Sequence, residues 1–390
     1  AVSQEYAREY SERLWKRLVV PPGTPGPGMT FNREALVALA LAVAAAVAIR
    51  VPELFGMHLQ EDDPGVRFYV RNASLFVLPF LALFFAWKRK MDSAGWVFLA
   101  APFAVGAVVV NAMPFAPQGS TEILASLHLP MALWLAAGVA YAGGLWRDHH
   151  QRMNFIRFSG EWFIYYVLIA LGGGVLMAFT MFVFQAIGLD AEWLLQMWIL
   201  PCGAVGAVIV AGWLVEAKQS VIENMAPVLT SIFTPLFTLL LLAFLGTMLW
   251  TGSGIDIERE VLIGFDLLLV LVVGLVLYSI SARDPLAEPG FADRLQLLLV
   301  VSALLVDALA LWAILARITE FGFTPNRVAA LGENLILLAN LGGAAVFSLR
   351  FLRRKGGFGA MERWQTAFLP VYAAWAWVVV VLFPLVFQFV

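Results

Sequence analysis

Charge is scarce in this chain. Asp, Glu, Lys and Arg supply 13% of its 390 residues, about half of the roughly 25% usual in soluble domains, so a water-soluble fold would lack the polar material to cover itself. Cysteine is nearly missing: Cys202 stands alone, which excludes a disulfide framework and any multi-cysteine metal site. Of the four histidines only His128 lies near an apolar interior, which excludes a bis-histidine haem. No Walker sequence, Rossmann glycine pattern, His-Glu-x-x-His or serine elbow occurs, so nucleotide-driven work and familiar hydrolysis both lose their machinery. No cofactor is expected. The formal net charge of −2 gives no basic surface for nucleic acid.

What is present is apolar. Hydrophobic residues make up 61% of the chain, with 14 Trp and 30 Phe, and mean hydropathy is +0.83. They fall in runs of about 18 to 25 residues, the length that crosses roughly 30 Å of hydrocarbon as a helix. Eleven such runs are placed at about 35–55, 72–87, 95–114, 123–146, 162–188, 192–215, 228–251, 261–280, 295–316, 327–352 and 365–389. The expected class is therefore all-α, a polytopic helical membrane protein whose transmembrane domain covers residues 31–390.

Lysine and arginine divide unevenly between the two sets of connecting segments, 19 on one side and 6 on the other. The richer side is expected to be cytoplasmic, which puts the N-terminus inside and the C-terminus outside. Residues 1–30 form a separate leader: Ala1 to Val20 is amphipathic and basic, suited to a membrane surface or a cytoplasmic protein partner, and Pro21 to Gly28 is a Pro/Gly hinge. The first apolar run begins too late for a cleaved signal peptide, and residues upstream of Ala1 are expected. Within the spans, Ala38, Ala42 and Ala46 form a small-residue stripe, and Gly172-Gly173-Gly174 with Gly203, Gly206 and Gly212 suggests a tightly packed centre. Pro79, Pro201, Pro235, Pro370 and Pro384 are placed to kink or interrupt their helices.

Three carboxylates sit inside apolar runs. Asp266, Asp307 and Glu333 would each cost about 2.5–3.5 kcal/mol against lipid, so each should face protein, water or a cation. At about 1.5 Å of rise per residue they lie roughly 8, 13 and 9 Å from the outer ends of spans eight, nine and ten. All three would occupy the outer half of the bilayer. The loop above them carries Arg317 and Arg327, suited to be gating counter-ions, and His128 near the outer end of span four suits a proton relay. Two readings stay open: these groups line a polar pathway for a solute, cation or proton, or they pair with the two arginines, with Asn334 and Asn340 or with helix ends and hold the helices together. A second acidic group, Glu61-Asp62-Asp63 beside His58, is compatible with a divalent cation but has no metal-specific spacing.

Four stretches carry a family resemblance: Arg71-Asn72, Leu127-His128-Leu129-Pro130, Gly160-Glu161 and the loop Arg317-Ile318-Thr319-Glu320-Phe321-Gly322-Phe323-Thr324-Pro325-Asn326-Arg327. In these the chain resembles a family of bacterial multi-pass inner-membrane proteins that carry a domain of unknown function, although the family loop reads closer to Tyr-Gly-Leu than to Phe321-Gly322-Phe323. The resemblance implies a bacterial plasma-membrane location and no particular activity. From the residues, the first functional reading is a transporter or permease, not an enzyme, that moves a small solute or ion and is coupled to protons or cations through Asp266, Asp307 and Glu333. The alternatives are a membrane scaffold, sensor or accessory subunit, and an intramembrane enzyme for a lipid-linked substrate.

Overall fold

The structure is a computed structural model, and it describes residues 27–59, 64–190, 192–217, 225–251 and 259–390. The amphipathic leader through Gly26 and the Glu61-Asp62-Asp63 group lie outside the described residues. Among those described, eleven helices are long and apolar enough to cross a membrane, and no strand is present. They are α1 Arg33–Phe55, α2 Gly65–Lys88, α3 Ser93–Ala112, α4 Ser120–Tyr141, α5 His149–Ala186, α6 Glu192–Ala217, α7 Leu229–Met248, α8 Leu262–Ala282, α9 Phe291–Phe321, α10 Pro325–Leu352 and α11 Gly359–Val386.

Side-chain bonds sort the helix termini into two ends. At one, which carries most of the basic residues, Lys88 pairs with Glu34 at 2.9 Å and with Glu216 at 3.2 Å, and Arg89 pairs with Glu216 at 3.0 Å. The start of α1 and the last residues of α2 and α6 therefore meet. At the opposite end Arg67 and Arg71 both reach Glu122, at 2.6 and 3.5 Å, Asn72 and Asn111 exchange amide bonds of 3.0 and 2.8 Å, and Asn326 donates to Ser120 at 3.2 Å. Glu122 and Glu216 are nearly enclosed, each held by two cations. Removing such partners from a buried charge costs about 3–5 kcal/mol, so these clamps set which helix ends adjoin.

Buried apolar side chains gather into two large cores. One is built from α1 to α6 with Val380 of α11, the other from α7 to α11 with Met153 and Ile156 of α5. The stripe Ala38 and Ala42 packs into the first core against α6, as small residues permit close approach. A small third cluster of Leu124, Ala329, Val379 and Phe383 bridges α4, α10 and α11 at the seam between the cores. There α10 approaches α11 so closely that a Cβ added at Gly332 would stand 2.1 Å from the Trp375 ring.

Two departures from the sequence reading concern the start of α5 and the open glycines. Helix α5 begins at His149 rather than near 162, because the Asp148 side chain caps it by accepting from the His150 backbone N–H at 3.0 Å. Arg152 and Arg157 are thus helical, not in a loop. Gly172, Gly173 and Gly174 do not mark a packed centre: nothing stands within 4 Å of a Cβ at any of them, and no described residue of α5 beyond Glu161 is buried. Gly203 is likewise open, whereas Gly206 and Gly212 do meet neighbours. Three of the prolines act as expected, since a 3-10 segment, Ala73–Phe76, precedes Pro79 and the π-helical segments Leu195–Ile199 and Val378–Leu382 precede Pro201 and Pro384. Proline has no N–H and clashes with the carbonyl four residues back, and widening the turn to a π-helix relieves both.

Gly332→Ala is expected to lower the thermal unfolding midpoint in detergent, the overpacking costing about 1–3 kcal/mol. Gly173→Ala has open space and a better helix former, so its midpoint should stay level or rise. Equal behaviour of the two variants would refute the close α10–α11 contact.

Candidate functional site

The membrane-embedded polar groups collect on α4, α8, α9 and α10, next to the seam. His128 is 5% exposed on α4. Its Nδ1 lies 2.8 Å from the Leu124 carbonyl oxygen, one turn back. A carbonyl oxygen only accepts, so Nδ1 carries a hydrogen. Its Nε2 lies 2.6 Å from Oε1 of Glu333 on α10. With Nδ1 already the donor, a neutral imidazole would present a lone pair at Nε2 to a carboxylate that also only accepts. The contact therefore requires one further proton, held as imidazolium against carboxylate or as imidazole against carboxylic acid. His128 and Glu333 share a proton across the seam.

Asn334, the residue after Glu333, points its amide into the second core. It donates to Oδ1 of Asp266 on α8 at 2.8 Å and to the Ala330 carbonyl at 2.8 Å. Asp266 stands within electrostatic reach of both Glu333 and Asp307. Asp307 on α9 is 0% exposed, and among the described residues neither of its carboxylate oxygens has a hydrogen-bond partner. An ionised carboxylate in that setting would carry a large desolvation cost with nothing to offset it. Exposure falls along the series, from a Glu333 side chain 31% exposed to the fully enclosed Asp307.

The two loop arginines are placed differently. Arg327 donates through Nη1 to the Phe321 and Gly322 carbonyls at 3.0 and 2.9 Å, and its guanidinium lies over the Phe321 ring. It closes the α9–α10 turn, and among the described residues no ion pair joins it to a carboxylate. Arg317 is half-buried near the end of α9. Of the sequence candidates, the structure links His128 to Glu333 and Asp266 electrostatically to both Asp307 and Glu333. Asn340 stands apart, donating to Gln365 of α11 at 2.9 Å with both side chains enclosed. Among the described residues no three His, Cys, Asp or Glu side chains stand together as a metal site.

Sequence reasoning passed over Glu122 and Glu216, each just inside a span end, where hydropathy reads an ordinary terminus. Two cations within a helical turn on one neighbour, Arg67 with Arg71 and Lys88 beside Arg89, were the available signal. No protein-family model, no curated protein and no solved structure matches this chain.

A purely structural Asp307 would be missed on removal. With both oxygens unsatisfied, Asp307→Val is instead expected to raise stability by about 1–3 kcal/mol, read as a higher midpoint in thermal or denaturant unfolding. A clear fall in that midpoint would show that the carboxyl group holds the fold.

Proposed function

We propose that this chain is a proton-coupled permease for a small solute, with His128, Glu333, Asp266 and Asp307 as its proton-carrying groups. The observation that carries this reading is the 2.6 Å contact between His128 Nε2 and Glu333 Oε1, because it joins α4 of the first core to α10 of the second. Loss of the proton it holds would leave two acceptors facing each other at 2.6 Å, a repulsive contact, and α4 and α10 would separate. Regain of it would draw them together. A titratable bond across a seam is a two-state element whose balance protons bias.

Asp266 and Asp307 extend the same logic inward. Asp266 is tied to α10 through Asn334, next to Glu333, and interacts with Asp307. Protonation of one disfavours ionisation of neither neighbour, whereas two anions so enclosed repel, so the series is suited to hold and pass single protons. Asp307, enclosed and unbonded, is the terminal acceptor. Arg327 belongs to the loop that joins α9 to α10 and keeps the two carboxylate-bearing helices in register. Arg317 is assigned to the same end of the pathway.

The orientation and location belong to this proposal as well. The division of 19 basic residues against 6 supports a cytoplasmic basic end, with the N-terminus inside and the C-terminus outside. The resemblance of the Arg317–Arg327 loop to bacterial inner-membrane proteins supports a bacterial plasma membrane.

The coupling is tested by reconstituting the protein in liposomes and recording solute-evoked currents and internal pH over a panel of amino acids, sugars, nucleosides and inorganic anions. The wild type is expected to acidify the lumen with at least one solute under an inward proton gradient. Asp307→Asn and Glu333→Gln should fold and reduce that signal at least about tenfold, the loss of roughly 1.4 kcal/mol or more of coupling. Unaltered signals in both variants would remove the pathway; a silent wild type that co-purifies with a stoichiometric partner would replace the permease by a scaffold. Orientation is checked in a Cys202→Ser background with an impermeant maleimide on intact cells. Labelling is expected for Gly119→Cys and not for Lys90→Cys, and the reverse pattern would invert the topology.

A further inference from the structure

A second polar place lies at the other end of the bundle. A cavity of about 480 Å³ opens at the basic end, lined by Arg89, Tyr141, Gln151, Asn154, Arg157 and Glu161 among others. None of His128, Asp266, Asp307 and Glu333 lines it. Its volume is within the range of about 300–1,000 Å³ typical of small-ligand sites. Gln151, Asn154, Arg157 and Glu161 come from the early part of α5 and line the cavity together with Arg89, Tyr141 and Val215, at the ends of α2, α4 and α6. Gly160 lets α5 press against α8: a Cβ there would meet the Tyr278 ring at 2.4 Å. That approach brings Arg157 to the Ser281 carbonyl.

The guanidiniums are held in matching ways. Arg89 donates through Nε to the Tyr141 carbonyl at 3.0 Å and through Nη2 to Glu216 at 3.0 Å. Arg157 donates through Nε, at 2.9 Å, and through Nη2 to the Ser281 carbonyl. Each arginine is fixed by its Nε–Nη2 edge, which leaves its Nη1 donors for a ligand. Two fixed guanidiniums supplemented by the amides of Gln151 and Asn154 are a donor set for the several oxygens of a phosphate. One carboxylate interrupts it. Glu161 is 6% exposed, one helical turn beyond Arg157 on the same wall, where it repels a simple anion and attracts an ammonium group.

We propose that this cavity binds an aminoalkyl phosphate, with the phosphate on Arg89 and Arg157 and the ammonium on Glu161. The cavity lies at the level of the helix ends, where a bilayer has its headgroups, so the same chemistry is offered by an ethanolamine phospholipid and by free phosphoethanolamine. The full chain in detergent is titrated calorimetrically with free phosphoethanolamine and with dihexanoyl phosphatidylethanolamine, against glycerol phosphate and dihexanoyl phosphatidylglycerol. Saturable binding of an amine-bearing probe in preference to its amine-free partner is expected: of both amine-bearing probes if the headgroup suffices, of the lipid alone if acyl chains are needed. Glu161→Gln should abolish that preference, and Arg157→Gln should weaken binding at least about tenfold. Arg157→Gln loses a bond that joins α5 to α8, so Asn154→Trp, which fills the cavity and leaves that bond in place, serves as the second variant and should abolish binding. No saturable binding of either amine-bearing probe, an unchanged preference in Glu161→Gln or full binding by Asn154→Trp would overturn the assignment.

Discussion

A hydrocarbon interior offers polar side chains no partner, so each one must be satisfied by another helix or be left at a cost of several kcal/mol. This constraint organises the molecule. The apolar surface does not choose among helix neighbours, because lipid is as good a contact as leucine. The choosing is done by groups that cannot face lipid. Glu216 joins α2 to α6, Glu122 joins α2 to α4, Asn340 and Gln365 join α10 to α11, and Asn334 joins α10 to α8. Where a group is left unsatisfied, as at Asp307, the same constraint makes it conspicuous.

The braces are distributed unequally, and the inequality gives the molecule its parts. Clamps near the helix ends tie α1, α2, α4 and α6 round one core, which also takes in Val380 of α11, while the last five spans build another with the start of α5. Between them, on the side away from the basic end, a small apolar cluster and the His128–Glu333 contact join α4 to α10 and α11. The buried carboxylates lie on the far side of that seam, and the arginine-lined cavity lies at the basic end. The His128–Glu333 contact and the polar cavity are thus separated along the helix axes.

The architecture was legible because helix length and span count follow from composition and run length. All eleven runs correspond to eleven helices, with the largest boundary error at α5, where a polar stretch reads as loop until the Asp148 cap is seen. Gly172-Gly173-Gly174 misled for a related reason: small residues permit close packing but do not supply the neighbour, and none of the described helices comes near. The candidate site was half legible. Asp266, Asp307, Glu333 and His128 stood out as expensive residues at similar depth, but depth carries no azimuth. Whether a carboxylate meets an arginine, an amide or another carboxylate depends on the rotation of each helix about its axis.

One chain of residues therefore settled the class, the number of helices and which groups are costly, since all three depend only on local composition and on the 1.5 Å rise of a helix. Tertiary structure alone decided that Arg327 serves its own loop, that Asn334 turns to Asp266, that His128 meets Glu333 and that Asp307 has no hydrogen-bond partner among the described residues. Partner choice is a matter of distances of about 3 Å between helices far apart in sequence. Hydropathy averages over whole turns, and nothing in such an average records the direction in which one side chain points.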